Sequence, residues 1–262
     1  MKAFFSPSIL ARAGARSILA ALLAAGALLP LAARADIDWN TADWGGYSVN
    51  SLSYWSYSDM ARRSAERAQE AARPGGRSAS RPKPKSRAEA LSVAANRTSS
   101  GGFEDGRGLD ALARMYPRDQ FFERKDQFRE IVKGFNQNVQ GLYGVPPDNL
   151  ATGLTVALAG AYAAYHNRSF PDQWVKPLYR QMEELLLNDP RLEERTPVSK
   201  AGDYQVMVGT GMMLMLAQAE VQKNPDAASE RQLRQAGAEA LKALLNTDLD
   251  RVEFSARGLR VR

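Results

Sequence analysis

The sequence predicts an all-α protein, a single bundle of about five to six helices that ends in a small β-hairpin. Two observations lead to this class. Between residues 103 and 245, apolar residues recur at helical spacing in segments separated by Gly, Pro, Asn or Asp. A strand-like pattern follows Asn246. A signal peptide and a disordered linker are expected to precede the bundle.

The first two predicted helices each end at a clear stop signal. A short helix is predicted around Leu109 to Met115, ahead of Tyr116-Pro117. The second ends at Gly144, which is followed by two prolines. It carries an apolar seam at helical intervals, which is typical of a helix that faces a core. The seam is formed by Phe121, Phe128, Val132, Phe135, Val139 and Leu142.

Two of the next helices are apolar on nearly every side and are predicted to form the buried centre. The third, from Leu150, carries no charge before Arg168. The fifth ends at Lys223, and its Gly209 and Gly211 predict close packing against another helix. Its interruption by these glycines argues against a membrane span.

The remaining elements are marked by local signals. The fourth helix is predicted to begin near Trp174 or Pro177, and the sixth is predicted to be capped by Asp226. After the sixth helix, alternating residues flank a Gly-containing turn, which predicts a β-hairpin over 252–261.

Residues 1–35 have the pattern of a cleavable signal peptide. Basic residues precede an apolar run from Ile18 to Leu31, and the segment closes on Ala33-Arg34-Ala35. The alternative is an uncleaved anchor, but the apolar run is shorter than the roughly 20 residues that span a bilayer. We therefore expect an exported chain that begins at Asp36, is periplasmic or extracellular, and has no transmembrane segment.

Residues 36–61 form a polar arm rich in aromatic residues, among them Trp39, Trp44 and Trp55. Two interpretations are equally supported. The arm could dock onto a partner or a glycan, because Trp and Tyr rings combine a large contact area with a polar group. Alternatively, it could fold back and cover the helical domain.

Residues 62–102 are predicted to be a basic, disordered linker, with a short helix over 58–73 that begins at Ser58. Between Arg62 and Arg97 there are ten basic and three acidic residues. This tract could contact anionic envelope polymers or phospholipid headgroups, or it could act as a solvated spacer.

The positive charge of the whole chain does not belong to the helical domain. The formal charge of the chain is +6, and it would fall to +2 on cleavage of the signal peptide, which contains four basic residues and no acidic ones. The domain predicted at 103–262 holds 21 basic and 22 acidic residues. Nucleic acid is therefore not an expected partner.

The residues that catalysis and metal binding need are scarce. The chain has no cysteine, which excludes disulfides and thiolate sites, and its single histidine is His166. A histidine in the last turn of a helix commonly interacts with the helix dipole or free carbonyls. We expect no catalytic, cofactor-binding or metal-binding residues, and no cofactor.

A carboxylate-dependent peptidoglycan hydrolase is the enzyme that remains to be considered, because glycoside cleavage needs only two acids. Two candidates adjoin apolar sequence, Asp203 and Glu220, although a capping role is expected for Asp203. The other candidates fit solvated helix faces: Glu123, Glu130, Glu183 and Glu184.

Several short motifs resemble those of an uncharacterised family of exported bacterial proteins with a C-terminal helical domain of unknown function. The resemblance extends over roughly the last 150 residues. It rests on Leu142-Tyr143-Gly144-Val145-Pro146, Ala161-Tyr162-Ala163-Ala164-Tyr165, the segment from Val206 to Leu216, and Leu249-Asp250-Arg251-Val252. It implies no catalytic residue.

The sequence thus favours an exported interaction protein of the envelope or the secreted fraction, without enzymatic activity. Its expected partner is an envelope protein or an anionic envelope polymer. The sequence does not indicate an oligomeric state.

Overall fold

The computed structural model describes residues 52–71, 86–93 and 106–262. It is mostly helical and ends in a small antiparallel hairpin, which confirms the predicted all-α class, although the described residues form nine helices rather than five to six. The signal peptide lies outside the described residues. The helices are α1 (Tyr57–Ala71), α2 (Arg87–Leu91), α3 (Arg107–Ala113), α4 (Phe121–Tyr143), α5 (Leu150–His166), α6 (Asp172–Asn188), α7 (Arg191–Glu194), α8 (Pro197–Lys223) and α9 (Ala227–Leu245).

Helices α5 and α8 form the centre of the bundle, as their largely apolar sequences predicted. Every residue of α5 from Leu150 to Ala164 is buried. Asn149 begins this helix by accepting hydrogen bonds from the backbone N–H groups of Ala151 and Thr152. Helix α8 makes the most extensive contact with it.

Glycines allow these two backbones to approach closely. A Cβ atom on Gly160 would lie 2.1 Å from the carbonyl oxygen of Gly211, and one on Gly211 would lie 2.3 Å from that of Val156. Helix α9 approaches α5 in the same way, because a Cβ on Gly237 would lie 2.3 Å from the backbone nitrogen of Tyr165. The predicted close packing at Gly211 is confirmed.

The other helices surround this centre. Helix α9 packs on α5 and α6 packs on α5, while α3 and α4 pack on α8. The apolar seam of α4 is buried at Phe128, Val132, Phe135 and Val139. Strands β1 (Val252–Ser255) and β2 (Gly258–Val261) follow α9, and β2 packs against α6.

Two predicted helix starts need correction. Helix α6 begins at Asp172, two residues before the predicted start near Trp174, and the alternative start at Pro177 is wrong because Pro177 lies inside the helix. Ser58 does not begin α1, because the helix already includes Tyr57. The Ser58 hydroxyl instead donates to the carbonyl oxygen of Leu245, at 2.6 Å, and so ties α1 to the end of α9.

Residues from the predicted arm and linker are part of the packed structure. Leu52, Trp55 and Met60 are buried, and α1 lies on α6. Residues 86–93 lie within the segment predicted to be disordered, yet they include α2, bury Leu91, and also pack on α6. For residues 86–93 an extended spacer is wrong, because Leu91 supplies apolar area that the surrounding polar sequence conceals.

Hydrogen bonds to the backbone also hold residues 86–93 in place. The backbone N–H of Val93 donates to the carbonyl oxygen of Asp148 at 2.9 Å, beside a bridge between Ser92 and Asn149. The Lys200 ammonium donates to the carbonyl oxygen of Ala90 at 2.7 Å. A composition-based prediction cannot foresee such backbone contacts.

Across the described ranges, none of the helices has the length and apolar content needed to cross a membrane.

The substitution Gly160→Ala is expected to destabilise the fold by about 3 kcal/mol or more, because the new methyl group overlaps backbone atoms that cannot move independently. The free energy of unfolding in urea measures this effect.

The matched control is Gly141→Ala in α4, where an added Cβ meets no atom within 4 Å. This variant should be unchanged or more stable by up to about 1 kcal/mol, since Ala favours the helix. Equal unfolding free energies for the two variants would contradict the close α5–α8 contact.

Candidate functional site

Asp203, the first candidate acid, lies at a junction between the N-terminal segment and the bundle. It is buried near the start of α8. The indole Nε1 of Trp55 donates to its Oδ2 at 2.9 Å. The Arg195 guanidinium donates to both of its oxygens, with a contact of 2.6 Å from Nη2 to Oδ1. Asp203 is thus an anchor for Trp55 rather than the predicted helix cap.

Two arginines stack on the aromatic residues at this junction. The guanidinium carbons of Arg191 and Arg195 lie 4.8 and 4.3 Å from the ring centroid of Tyr54. Arg191 also pairs with the buried Asp189 at 2.6 Å and donates to the backbone carbonyl of Tyr54. We call this set of residues the clasp. It consists of Tyr54, Trp55, Asp189, Arg191, Arg195 and Asp203.

The clasp resolves part of the question about the aromatic arm. For Tyr54 and Trp55, the interpretation that the arm covers the helical domain is confirmed, because Trp55 is fully buried. Trp39 and Trp44 lie outside the described residues.

The electrostatics of Asp203 are those of a structural ion pair. Burial raises the pKa of Asp203, while the hydrogen bonds from Arg195 and Trp55 and the charge of Arg195 act in the opposite direction. A general acid needs an oxygen that can reach a substrate. Both oxygens of Asp203 are instead engaged by Arg195.

The second candidate acid, Glu220, lies far from the first. Both belong to α8, and a rise of 1.5 Å per residue places them about 25 Å apart along the helix axis. Glycosidases hold their two carboxyl groups about 5 to 9.5 Å apart. Glu220 is exposed and accepts a hydrogen bond from the Asn224 side chain.

The remaining candidate acids lie on exposed or partly exposed helix faces, as predicted. Glu123 accepts a hydrogen bond from Gln127, and Glu130 pairs with Lys133. Glu183 accepts from the hydroxyl of Tyr179 at 2.8 Å. Among the residues that the structure describes, no group of three or more His, Cys, Asp or Glu could hold a metal ion.

His166 packs against the rings of Tyr162 and Tyr165, at centroid distances of 4.4 and 4.9 Å. Burial lowers the pKa of His166, and the positive charges of Arg168 and Arg234 lower it further. The neutral ring is therefore favoured. The interaction with the helix dipole or with free carbonyls that the sequence led us to expect would act on the pKa in the opposite direction, and it stays a prediction.

A shallow, charged depression lies where α9 ends. It has a volume of about 470 Å³ and is lined by Lys242, Asn246, Thr247, Asp248 and Arg251. Asn246 ends the helix in a left-handed conformation, with φ of 49°. Its open shape and mixed charges suit contact with a polar surface better than enclosure of a small molecule.

Sequence reasoning missed a second buried polar network beside the clasp. The Asn136 amide donates to Asp148 at 2.7 Å, and the Tyr204 hydroxyl donates to the Asn136 carbonyl oxygen at 2.5 Å. Asp148 has a positive φ of 51° and its backbone N–H donates to the Tyr204 hydroxyl at 3.2 Å. Its position after Pro146-Pro147 was the available signal, because Asp tolerates the left-handed conformation in turns.

A model of a family of unknown function, DUF6683, matches residues 13–262. The chain belongs to this family. The match begins well before the last 150 residues on which the sequence resemblance rested, and so it includes the arm and the linker. The searches of curated proteins and of solved structures each find no match. The family therefore supplies no activity or ligand.

The substitution Asp203→Asn is expected to lower the free energy of unfolding by about 2 to 3 kcal/mol, because it leaves the partly buried Arg195 charge without its partner. Urea unfolding measures the loss. Trp55 fluorescence should shift to longer wavelength in native buffer if the clasp loosens.

Glu220→Gln is the matched control on the same helix, and its effect should stay within about 0.5 kcal/mol, since the side chain is exposed. An Asp203→Asn variant as stable as this control would contradict the anchoring role of Asp203.

The lowered pKa of His166 predicts a pH-dependent stability. The folded state holds this proton less tightly than the unfolded chain, whose histidine has a pKa of about 6.5. The contribution of neutral His166 to the free energy of unfolding is therefore fully present above about pH 6.5, the unfolded pKa. It is lost as the pH falls below that value. The free energy of unfolding, measured at pH 7.5 and 5.5, should drop less for His166→Asn than for the unmodified chain. Equal drops would contradict this prediction.

Proposed function

We propose that this protein is an exported interaction protein of the envelope or the secreted fraction, and that it acts by binding rather than by catalysis. Export is supported by the signal-peptide pattern of residues 1–35. A role in binding is supported by two observations: the two candidate acids lie far apart, and basic residues are concentrated between α1 and α2.

The separation of the two candidate acids carries the proposal. Asp203 is held by Arg195 and Trp55, and Glu220 lies about 25 Å away on the same helix, given the rise of 1.5 Å per residue. A carboxylate pair made of these two residues could not act on one glycosidic bond. The peptidoglycan hydrolase is accordingly the weaker hypothesis.

The distribution of basic residues favours an anionic polymer or an acidic protein as the partner. Residues 72–85 connect α1 to α2 and contain no acidic residue. Both of these helices pack on α6. Its cations are Arg73, Arg77, Arg81, Lys83 and Lys85. Such a concentration of charge binds anions through long-range electrostatics.

The proposal predicts that cells that produce the full chain release a form that begins at Asp36 into the periplasmic or extracellular fraction. N-terminal mass spectrometry of the fractions identifies the cleavage site. Replacement of Ala33 and Ala35 by larger residues should block cleavage, because the peptidase requires small residues there.

The same exported form should leave peptidoglycan intact in a zymogram. Recovery of uncleaved chain in the cytosol would contradict export. Clearing of peptidoglycan that disappears in Asp203→Asn or Glu220→Gln would contradict the non-enzymatic role.

A further inference from the structure

The C-terminal hairpin has two edges, and its register shows which backbone groups face outward. Strands β1 and β2 pair antiparallel, with Phe254 opposite Leu259 and Val252 opposite Val261. The backbone N–H of Arg262 donates to the carbonyl oxygen of Arg251. Hydrogen-bonded and non-hydrogen-bonded pairs alternate along an antiparallel pair of strands, so this bond shows which of the other pairs are hydrogen-bonded. Phe254 and Leu259 then form a non-hydrogen-bonded pair, whose N–H and C=O groups point away from the hairpin.

Helix α6 closes the outer edge of β2. The Gln181 side chain donates to the carbonyl oxygen of Leu259 at 2.7 Å and accepts from its N–H at 2.8 Å. The two bonds reproduce those that a neighbouring strand would make. Gly258 permits this approach, because a Cβ at that position would lie 2.5 Å from Oε1 of Gln181.

No residue that the structure describes closes the outer edge of β1 in this way. The backbone N–H of Val252 donates to the carbonyl oxygen of Leu249, three residues earlier in the chain. Within the described ranges, no hydrogen bond reaches the N–H or C=O of Phe254 or the C=O of Val252. An edge strand with free backbone groups is a template for another strand.

The charges around this edge select among the strands that could pair with it. Between residues 242 and 262, five basic residues are exposed, against three exposed acids, Asp248, Asp250 and Glu253. The basic residues are Lys242, Arg251, Arg257, Arg260 and Arg262. Arg251 and Lys242 line the shallow depression together with Asp248. Pairing of two copies through β1 would bring like charges together, whereas an acidic strand would be attracted.

We propose that β1 binds an extended, acidic segment of a partner protein, which adds as a third strand to the hairpin. The N–H and C=O of Phe254 supply the central pair of backbone hydrogen bonds. The depression lined by Lys242 and Arg251 receives acidic side chains at the end of the strand. This mode of recognition takes affinity from the backbone and selectivity from the charges. The inference rests on the proposed interaction function and gives that function a class of partner.

The test uses the mature chain, labelled with ¹⁵N, and two synthetic peptides. One is the acetylated and amidated heptapeptide Thr-Val-Glu-Val-Glu-Val-Glu, and the other replaces each Glu by Lys. The acidic peptide should slow the exchange of the Phe254 amide proton at least tenfold. The Leu259 amide should be unaffected, because Gln181 already protects it.

Charge-reversed variants separate this edge from nonspecific attraction. Lys242→Glu and Arg257→Glu should each weaken binding of the acidic peptide at least fivefold. Arg118→Glu, a matched control at an exposed arginine in the turn before α4, should bind as the unmodified chain does. Fluorescence anisotropy of labelled peptide measures the affinities.

Three results would overturn the inference. The first is failure of the acidic peptide to bind, and the second is binding without protection of the Phe254 amide. The third is protection that increases with protein concentration in the absence of peptide, which would indicate pairing between copies. None of these results affects the export and zymogram tests, so failure of the edge site is distinguishable from failure of the proposed function.

Discussion

The fold depends on the close contact between α5 and α8. At Gly160 and Gly211 the two backbones meet at distances that exclude even a methyl group. Such contact lets two apolar helices exclude water along their length and increases dispersion contacts between them. The outer helices then have a rigid surface on which to bury their apolar faces. Gly237 extends the same arrangement to α9.

The second constraint on the fold is the attachment of the segment before α1 to the bundle. Ion pairs and contacts between arginines and aromatic rings provide this attachment. Asp203 and Asp189 are buried acids, each held by an arginine that also stacks on Tyr54. The clasp fixes the segment before α1 to the start of α8. Buried ion pairs add little net stability, but they strongly disfavour arrangements that leave one charge unpaired. The clasp therefore specifies where the chain enters the bundle.

The parts of the fold that local patterns determine could be predicted from the sequence. The uncharged run of α5, the cap at Asp226 and the hairpin after Asn246 all follow from spacing and turn residues. The clasp could not be predicted, because Trp55 and Asp203 are 148 residues apart and no periodicity links them. Burial of Leu91 was missed for a related reason, since one apolar residue in a polar tract gives no pattern.

The candidate site illustrates the same limit. The sequence offered Asp203 and Glu220 as candidate acids, and the structure places them about 25 Å apart along α8, given the rise of 1.5 Å per residue. The open edge of β1 was not foreseen, because it depends on Gln181, which among the described residues bonds the edge of β2 and not that of β1. An open strand edge among the described residues agrees with the binding role that we propose.

Native-state hydrogen exchange tests most directly whether the α5–α8 pair supports the rest of the structure. If it does, amides near Gly160 and Gly211 exchange only through global unfolding, while amides of α1 and the hairpin exchange at lower opening free energies. Exchange near Gly160 or Gly211 at a lower opening free energy than in α1 would contradict the central role of this contact.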